Sequence, residues 1–105
     1  MEISQEQLKE KIKNGDKLVV DFWADWCGPC KVMKPLFEKV SSDMIEKNSE
    51  IQMYTLNVMK NQELAVELGI RSIPTIKAFE GGSEVHSSVG ALNESEINKI
   101  TQKLL

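Results

Sequence analysis

The chemistry of this sequence concentrates in two cysteines and one acid. Cys27 and Cys30 lie three residues apart in Cys27-Gly28-Pro29-Cys30, and Asp21 lies six residues before the first of them. Two thiols at this spacing exchange with disulfides or ligate a metal, and in either role the thiolate is the working form. A cysteine that follows a strand and sits at the first turn of a helix meets unpaired N–H groups and the positive end of the helix dipole, which lower its pKa toward neutrality. Cys27 has that position. Cys30, one turn further in, is expected to be more enclosed and less readily ionised, yet close enough to attack a mixed disulfide formed at Cys27. The pair then works in two steps: Cys27 attacks a substrate disulfide, and Cys30 resolves the intermediate and releases reduced substrate.

Asp21 stands inside Leu18 to Trp23, a near-continuous run of strand-forming apolar residues that reads as a strand buried on both faces. A carboxylate without a partner is costly there. The second step gives it a use, because Cys30 must lose a proton in a poorly solvated place. A nearby acid whose pKa burial has raised can accept that proton near neutral pH. The alternative is an inward aspartate satisfied by local hydrogen bonds.

The elements that would position these groups can be read from caps and periodicity. Ser4 with Gln7 fits a capping box that opens a helix from Ser4 to Asn14, with Gly15 at its end. After the strand, Cys27 to Cys30 opens a second helix whose apolar residues Met33, Phe37, Val40 and Met44 form one buried stripe, with Pro35 expected to kink it. Ile51 to Val58 reads as a strand and Gln62 to Leu68 as a short helix closed by Gly69. Glu80-Gly81-Gly82-Ser83 separates two strand-like runs, Thr75 to Phe79 and Glu84 to Val89, as a hairpin signal. Asn93 with Glu96 caps a last helix with Ile97, Ile100 and Leu104 on one face. The order implies an α/β fold: a mixed sheet, parallel in part, with an antiparallel hairpin at its edge and helices on both faces.

At 105 residues the chain is expected to form one domain, 1–105, with enough core to need no disulfide staple or structural metal. A net charge of -3 offers no basic footprint, so neither nucleic acid nor an anionic membrane is expected as a partner. The polar opening segment lacks the apolar core of a secretory leader, and no window approaches a membrane span. This reading expects a cytoplasmic protein, in which a cysteine pair is catalytic or metal-binding rather than a staple. Zinc needs about four ligands, and beyond the cysteines His86 is the obvious candidate, so no metal is expected. His86 itself reads as a solvated surface residue, and Met33, Met44, Met53 and Met59 as core packing. Trp23 reads as core; Trp26, directly before Cys27, reads as core or as part of a binding groove, with the groove favoured by its place. Asp25, Lys31 and Lys34 read as solvated charges at the helix terminus.

These residues bring the sequence to a known pattern. Val19 to Lys31, "VVDFWADWCGPCK", resembles the active-site segment of the thioredoxin family, with its buried acid. Gly69 to Thr75, "GIRSIPT", is similar to that family's cis-proline loop, and Val89 to Leu92, "VGAL", to its third substrate-facing loop, with Pro35 also in place. The resemblance implies a thioredoxin fold, a central mixed sheet flanked by four helices, and general reduction of protein disulfides without a bound cofactor. It implies recharging by a partner, usually a thioredoxin reductase, and the chain is expected to be a monomer. It makes Cys27 the nucleophile, Cys30 the resolving thiol and Asp21 the proton acceptor. It also places Trp26, Ile73, Pro74, Val89, Gly90 and Ala91 in the substrate groove, and it gives Gly28 and Pro29 the part of keeping the pair reducing.

Three departures accompany the resemblance. Thr55 stands where many bacterial members carry a lysine facing the buried acid, and Met59 replaces an aspartate common after that strand. Only Met1 to Ile3 remain where the family has a first edge strand, which is therefore expected to be short or missing. Two rival roles stay open. One is an accessory binding subunit whose groove holds a partner while redox turnover is incidental. The other, a disulfide donor, is disfavoured by Gly28-Pro29.

Overall fold

A computed structural model describes residues 1–105. Helix α1, Gln5–Lys13, begins where the capping box places it: the Ser4 hydroxyl accepts the Gln7 N–H at 3.1 Å, and the Gln7 side chain accepts the Ser4 N–H at 3.0 Å. Strand β1 is Leu18–Trp23, α2 is Gly28–Glu46, β2 is Gln52–Asn57, and α3 is Gln62–Glu67. Strands β3, Thr75–Glu80, and β4, Ser83–Val89, precede α4, Glu94–Gln102, which opens on the second capping box at Asn93 and Glu96. Gly81 and Gly82 both take positive φ, as a two-residue hairpin matched to strand twist requires. Helix α2 runs unbroken across Pro35.

The sheet order is β2-β1-β3-β4, with β1 parallel to β2 and both other pairings antiparallel. Alternation along β1 divides the core. Val19 joins Met33, Phe37 and Val40 of α2 and Ile97, Ile100 and Leu104, the first two in α4, in one cluster. Leu18, Val20 and Phe22 join Leu8 of α1 and Leu64 of α3 in the other. Side chains alternate along a strand, so Asp21 shares the α2 face with Val19. The expected edge strand survives as one parallel bridge between Glu2 and Thr55, with the Ile3 N–H donating to the Thr55 carbonyl and the Thr55 N–H to the Met1 carbonyl, each at 2.9 Å.

Two expectations are corrected. Met59, expected in the core, is 50 % exposed: it follows the end of β2 in a turn, and Val58 takes the buried place beside it. His86, expected to be solvated, is half-buried in β4 with its Nδ1 2.8 Å from the Lys103 ammonium. Its pKa is lowered, first by burial and then by that ammonium.

Candidate functional site

Strand β1 delivers its C-terminal end to the start of α2, and Cys27 is the residue at which strand geometry gives way to helix. It is the N-cap of α2, with extended backbone, and its Sγ accepts the N–H of Cys30 at 3.2 Å. Pro29 falls in the first turn, where a missing N–H leaves no intrahelical bond unmade. Cys27 and Cys30 form a disulfide across a Cα–Cα distance of 5.3 Å, so the structure holds the oxidised state. The expected difference in enclosure is absent in that state: Cys27 is 2 % exposed and Cys30 3 %.

What separates the two cysteines is what each faces. Cys30 lines a cavity of about 420 Å³ together with Asp21, Trp23, Thr55 and Glu2, whereas Cys27 does not. Asp21 is buried, and its Oδ1 has no hydrogen-bond partner within the protein. Burial pushes its pKa up from 3.8 to about 7, and the carboxylate of Glu2 adds to the rise. Thr55 is its direct neighbour in the β1–β2 register, so the flanking strand supplies a hydroxyl and no cation. The charged residues of the first turns of α2, Lys31 and Lys34, line the same cavity, and Lys34 lies 5.9 Å from the centroid of the Trp23 ring.

On the other side of the disulfide, Trp26 is 69 % exposed. It lines a shallow apolar hollow of about 280 Å³ with Ile73, and also with Met59, Val66 and Ile70, which the sequence reading did not assign to a site. Met59 and Val66 are exposed apolar residues at the end of β2 and on α3; the signal that could have found them was apolarity outside the core stripes of neighbouring elements. Pro74 is buried and its peptide bond with Ile73 is cis. The Gly90 N–H donates to the Pro74 carbonyl at 2.8 Å, next to the Thr75–Val89 pair of β3 and β4. Pro74, Val89 and Gly90 are thus tied together, with Ala91 exposed after them, but Val89, Gly90 and Ala91 do not line the Trp26 hollow. Gly28 and Pro29 are exposed beside the disulfide.

A mixed sheet covered by helices on both faces, with a Cys-X-X-Cys disulfide at the junction of strand and helix, defines a thiol–disulfide oxidoreductase of the α/β class. The family model described as Thioredoxin matches residues 1–103, and the chain belongs to the thioredoxin family. It is 33% identical over 105 residues to a thioredoxin of Porphyra purpurea, covering 99% of this chain and 95% of that one. It is 42% identical over 89 residues to a thioredoxin of Malassezia sympodialis, covering 84% and 82%. The structure of Plasmodium falciparum thioredoxin superposes with a TM-score of 0.84 at 30% identity, covering 97% of this chain and 95% of the other. The activity of the chain is dithiol–disulfide exchange at Cys27 and Cys30 with protein disulfides as substrates. No helix is long and apolar enough to cross a membrane.

Proposed function

We propose that the protein is a general reductant of protein disulfides in which Cys27 is the nucleophile, Cys30 the resolving thiol and Asp21 the proton acceptor. The observation that carries this assignment is that Cys30 and Asp21 line one cavity while Cys27 caps α2 outside it. In the first step the Cys27 thiolate attacks one sulfur of the substrate disulfide, that S–S bond breaks, and one substrate sulfur leaves as a thiolate. In the second step Cys30 gives its proton to Asp21 and its thiolate attacks the Cys27 sulfur. The bond from Cys27 to substrate breaks, and the second substrate sulfur leaves with the electron pair and takes up a proton. The substrate gains two electrons, and the protein is left as the Cys27–Cys30 disulfide.

Trp26, Ile73, Pro74, Val89, Gly90 and Ala91 form the docking surface for an extended substrate segment. Exposed apolar side chains at Trp26 and Val89 support this reading. Gly28 and Pro29 leave the disulfide open to the incoming sulfur, both being exposed. The chain works as a monomeric single domain, since one chain supplies both thiols and the acid. A thioredoxin reductase recharges it, so that it carries electrons to protein disulfides in the cytoplasm and sustains redox homeostasis there.

Insulin reduction with dithiothreitol as electron source tests the activity, followed by the same assay with candidate reductases and by fractionation of cells for location. Rapid precipitation of the insulin B chain is expected. A Cys27→Ser, Cys30→Ser protein that keeps its cellular role would replace this reading with that of an accessory binding subunit.

A further inference from the structure

Glu2 is an exposed residue that is nevertheless held by both of its carboxylate oxygens. The Trp23 indole N–H at 3.0 Å and the Thr55 hydroxyl donate to Oε1, and the Asn57 backbone N–H donates to Oε2 at 2.7 Å. The two backbone bonds that Thr55 makes with Met1 and Ile3 fix the Glu2 main chain as well. An ordinary surface glutamate keeps its rotamer freedom, and ordering it costs entropy. Three converging donors from β1 and β2 hold the carboxylate in the wall of the cavity that contains Asp21 and Cys30.

We propose that Glu2 is a positioning residue for the proton transfer between Cys30 and Asp21: its tethered carboxylate holds a second negative charge in the cavity wall and thereby favours the neutral, proton-bearing form of Asp21. The proposal rests on the reading of Asp21 as proton acceptor for Cys30. When Cys30 gives its proton to Asp21, the carboxylate becomes neutral, and a fixed like charge nearby favours that neutral form. Thr55, the register partner of Asp21 on the adjacent strand, directs its hydroxyl to Glu2, and Asp21 Oδ1 is left unpartnered.

The other charges around Asp21 do not take this part. Helix α2 contributes Lys31, Lys34 and Glu38 to the cavity, the β1–α2 junction Asp25, and the segment before α1 Met1. Strand β2 contributes the uncharged Thr55, and on β3 the partner of Asp21 is Ile76. Of all these groups, Glu2 is the one whose charge adds to the effect of burial on Asp21.

The test is a 13C NMR titration of the Asp21 carboxyl in the oxidised protein, its resonance identified with Asp21→Asn, together with the pH profile of kcat/KM for insulin reduction. Glu2→Gln keeps an acceptor for Trp23 and Thr55 while removing the charge. It is expected to move the Asp21 midpoint down by about 0.5 pH or more and to shift the acid limb of the profile with it. Glu2→Asp, which keeps the charge, is expected to move both by less. An unmoved midpoint in Glu2→Gln, alongside impaired turnover in Asp21→Asn, overturns the role of Glu2 and leaves that of Asp21 standing. Equal shifts in Glu2→Gln and Glu2→Asp also overturn it, because geometry rather than charge would then set the midpoint. Normal turnover in Asp21→Asn removes both readings at once.

Discussion

Asp21 and Thr55 are direct partners in the parallel pairing of β1 with β2, and the Thr55 hydroxyl points its hydrogen bond at Glu2 rather than at the buried acid. Asp21 therefore has desolvation raising its pKa to about 7, with Glu2 adding to it and no paired cation opposing. An acid whose folded pKa lies above its unfolded value lends full stability only below the unfolded value, near 3.8, and loses it as pH rises toward 7. Asp21→Asn is accordingly expected to match the parent near pH 4 and to exceed it above pH 8, by at most on the order of 4 kcal/mol. Denaturant melts of the oxidised proteins across this range measure the difference. Parallel stability curves would mean that Asp21 ionises in the folded protein at its unfolded pKa, with no cost from burial.

The same substitution separates stability from catalysis. Asn cannot take a proton from Cys30, so the resolving step is expected to slow about 100-fold at pH 7, the size typical of losing a positioned base. The mixed disulfide at Cys27 should accumulate and be visible by mass spectrometry after acid quenching. The deficit should narrow at high pH, where solvent deprotonates Cys30 directly. Full turnover at pH 7 with no trapped intermediate would leave Asp21 a structural acid.

Much of the fold was legible because its signals are local. Ser4 with Gln7 and Asn93 with Glu96 are capping boxes that need only their own four residues, and the Gly81-Gly82 hairpin needs only its turn. The place of Cys27 at the start of α2 was readable for the same reason. Glu2 was not, because its meaning depends on meeting Thr55 across 53 residues of sequence, a register that periodicity does not encode. His86 was misjudged for the same cause, its environment being set by Lys103 arriving from the end of α4. Met59 was misjudged because an apolar residue in a turn has no stripe to assign it to a face.

Chemical labelling tests the assignment of the two thiols. In the reduced protein, the Cys27 position as N-cap and the N–H of Cys30 aimed at its sulfur favour the thiolate there. Cys30 faces a raised-pKa carboxyl instead. A brief iodoacetamide pulse at neutral pH should therefore label Cys27 well ahead of Cys30, as read by peptide mapping. Preferential labelling of Cys30 would exchange their roles.

Gly90 offers a test of the docking surface that leaves the disulfide untouched. Its φ is +101°, in the region open to glycine, and an added Cβ would meet no atom within 4 Å. Gly90→Ala therefore has room for its methyl group, and its cost lies in the backbone alone, about 1 to 2 kcal/mol. If the chain relieves that strain by rotating, the bond from the Gly90 N–H to the Pro74 carbonyl is the contact directly exposed to the change. The expected result is a lower urea midpoint with an unchanged m-value, and a rise in KM for insulin larger than the fall in kcat, because binding geometry is disturbed while Cys27, Cys30 and Asp21 stay in place. A Gly90→Ala protein of lowered stability but unaltered KM would confine Gly90 to a structural part and take it out of the substrate groove.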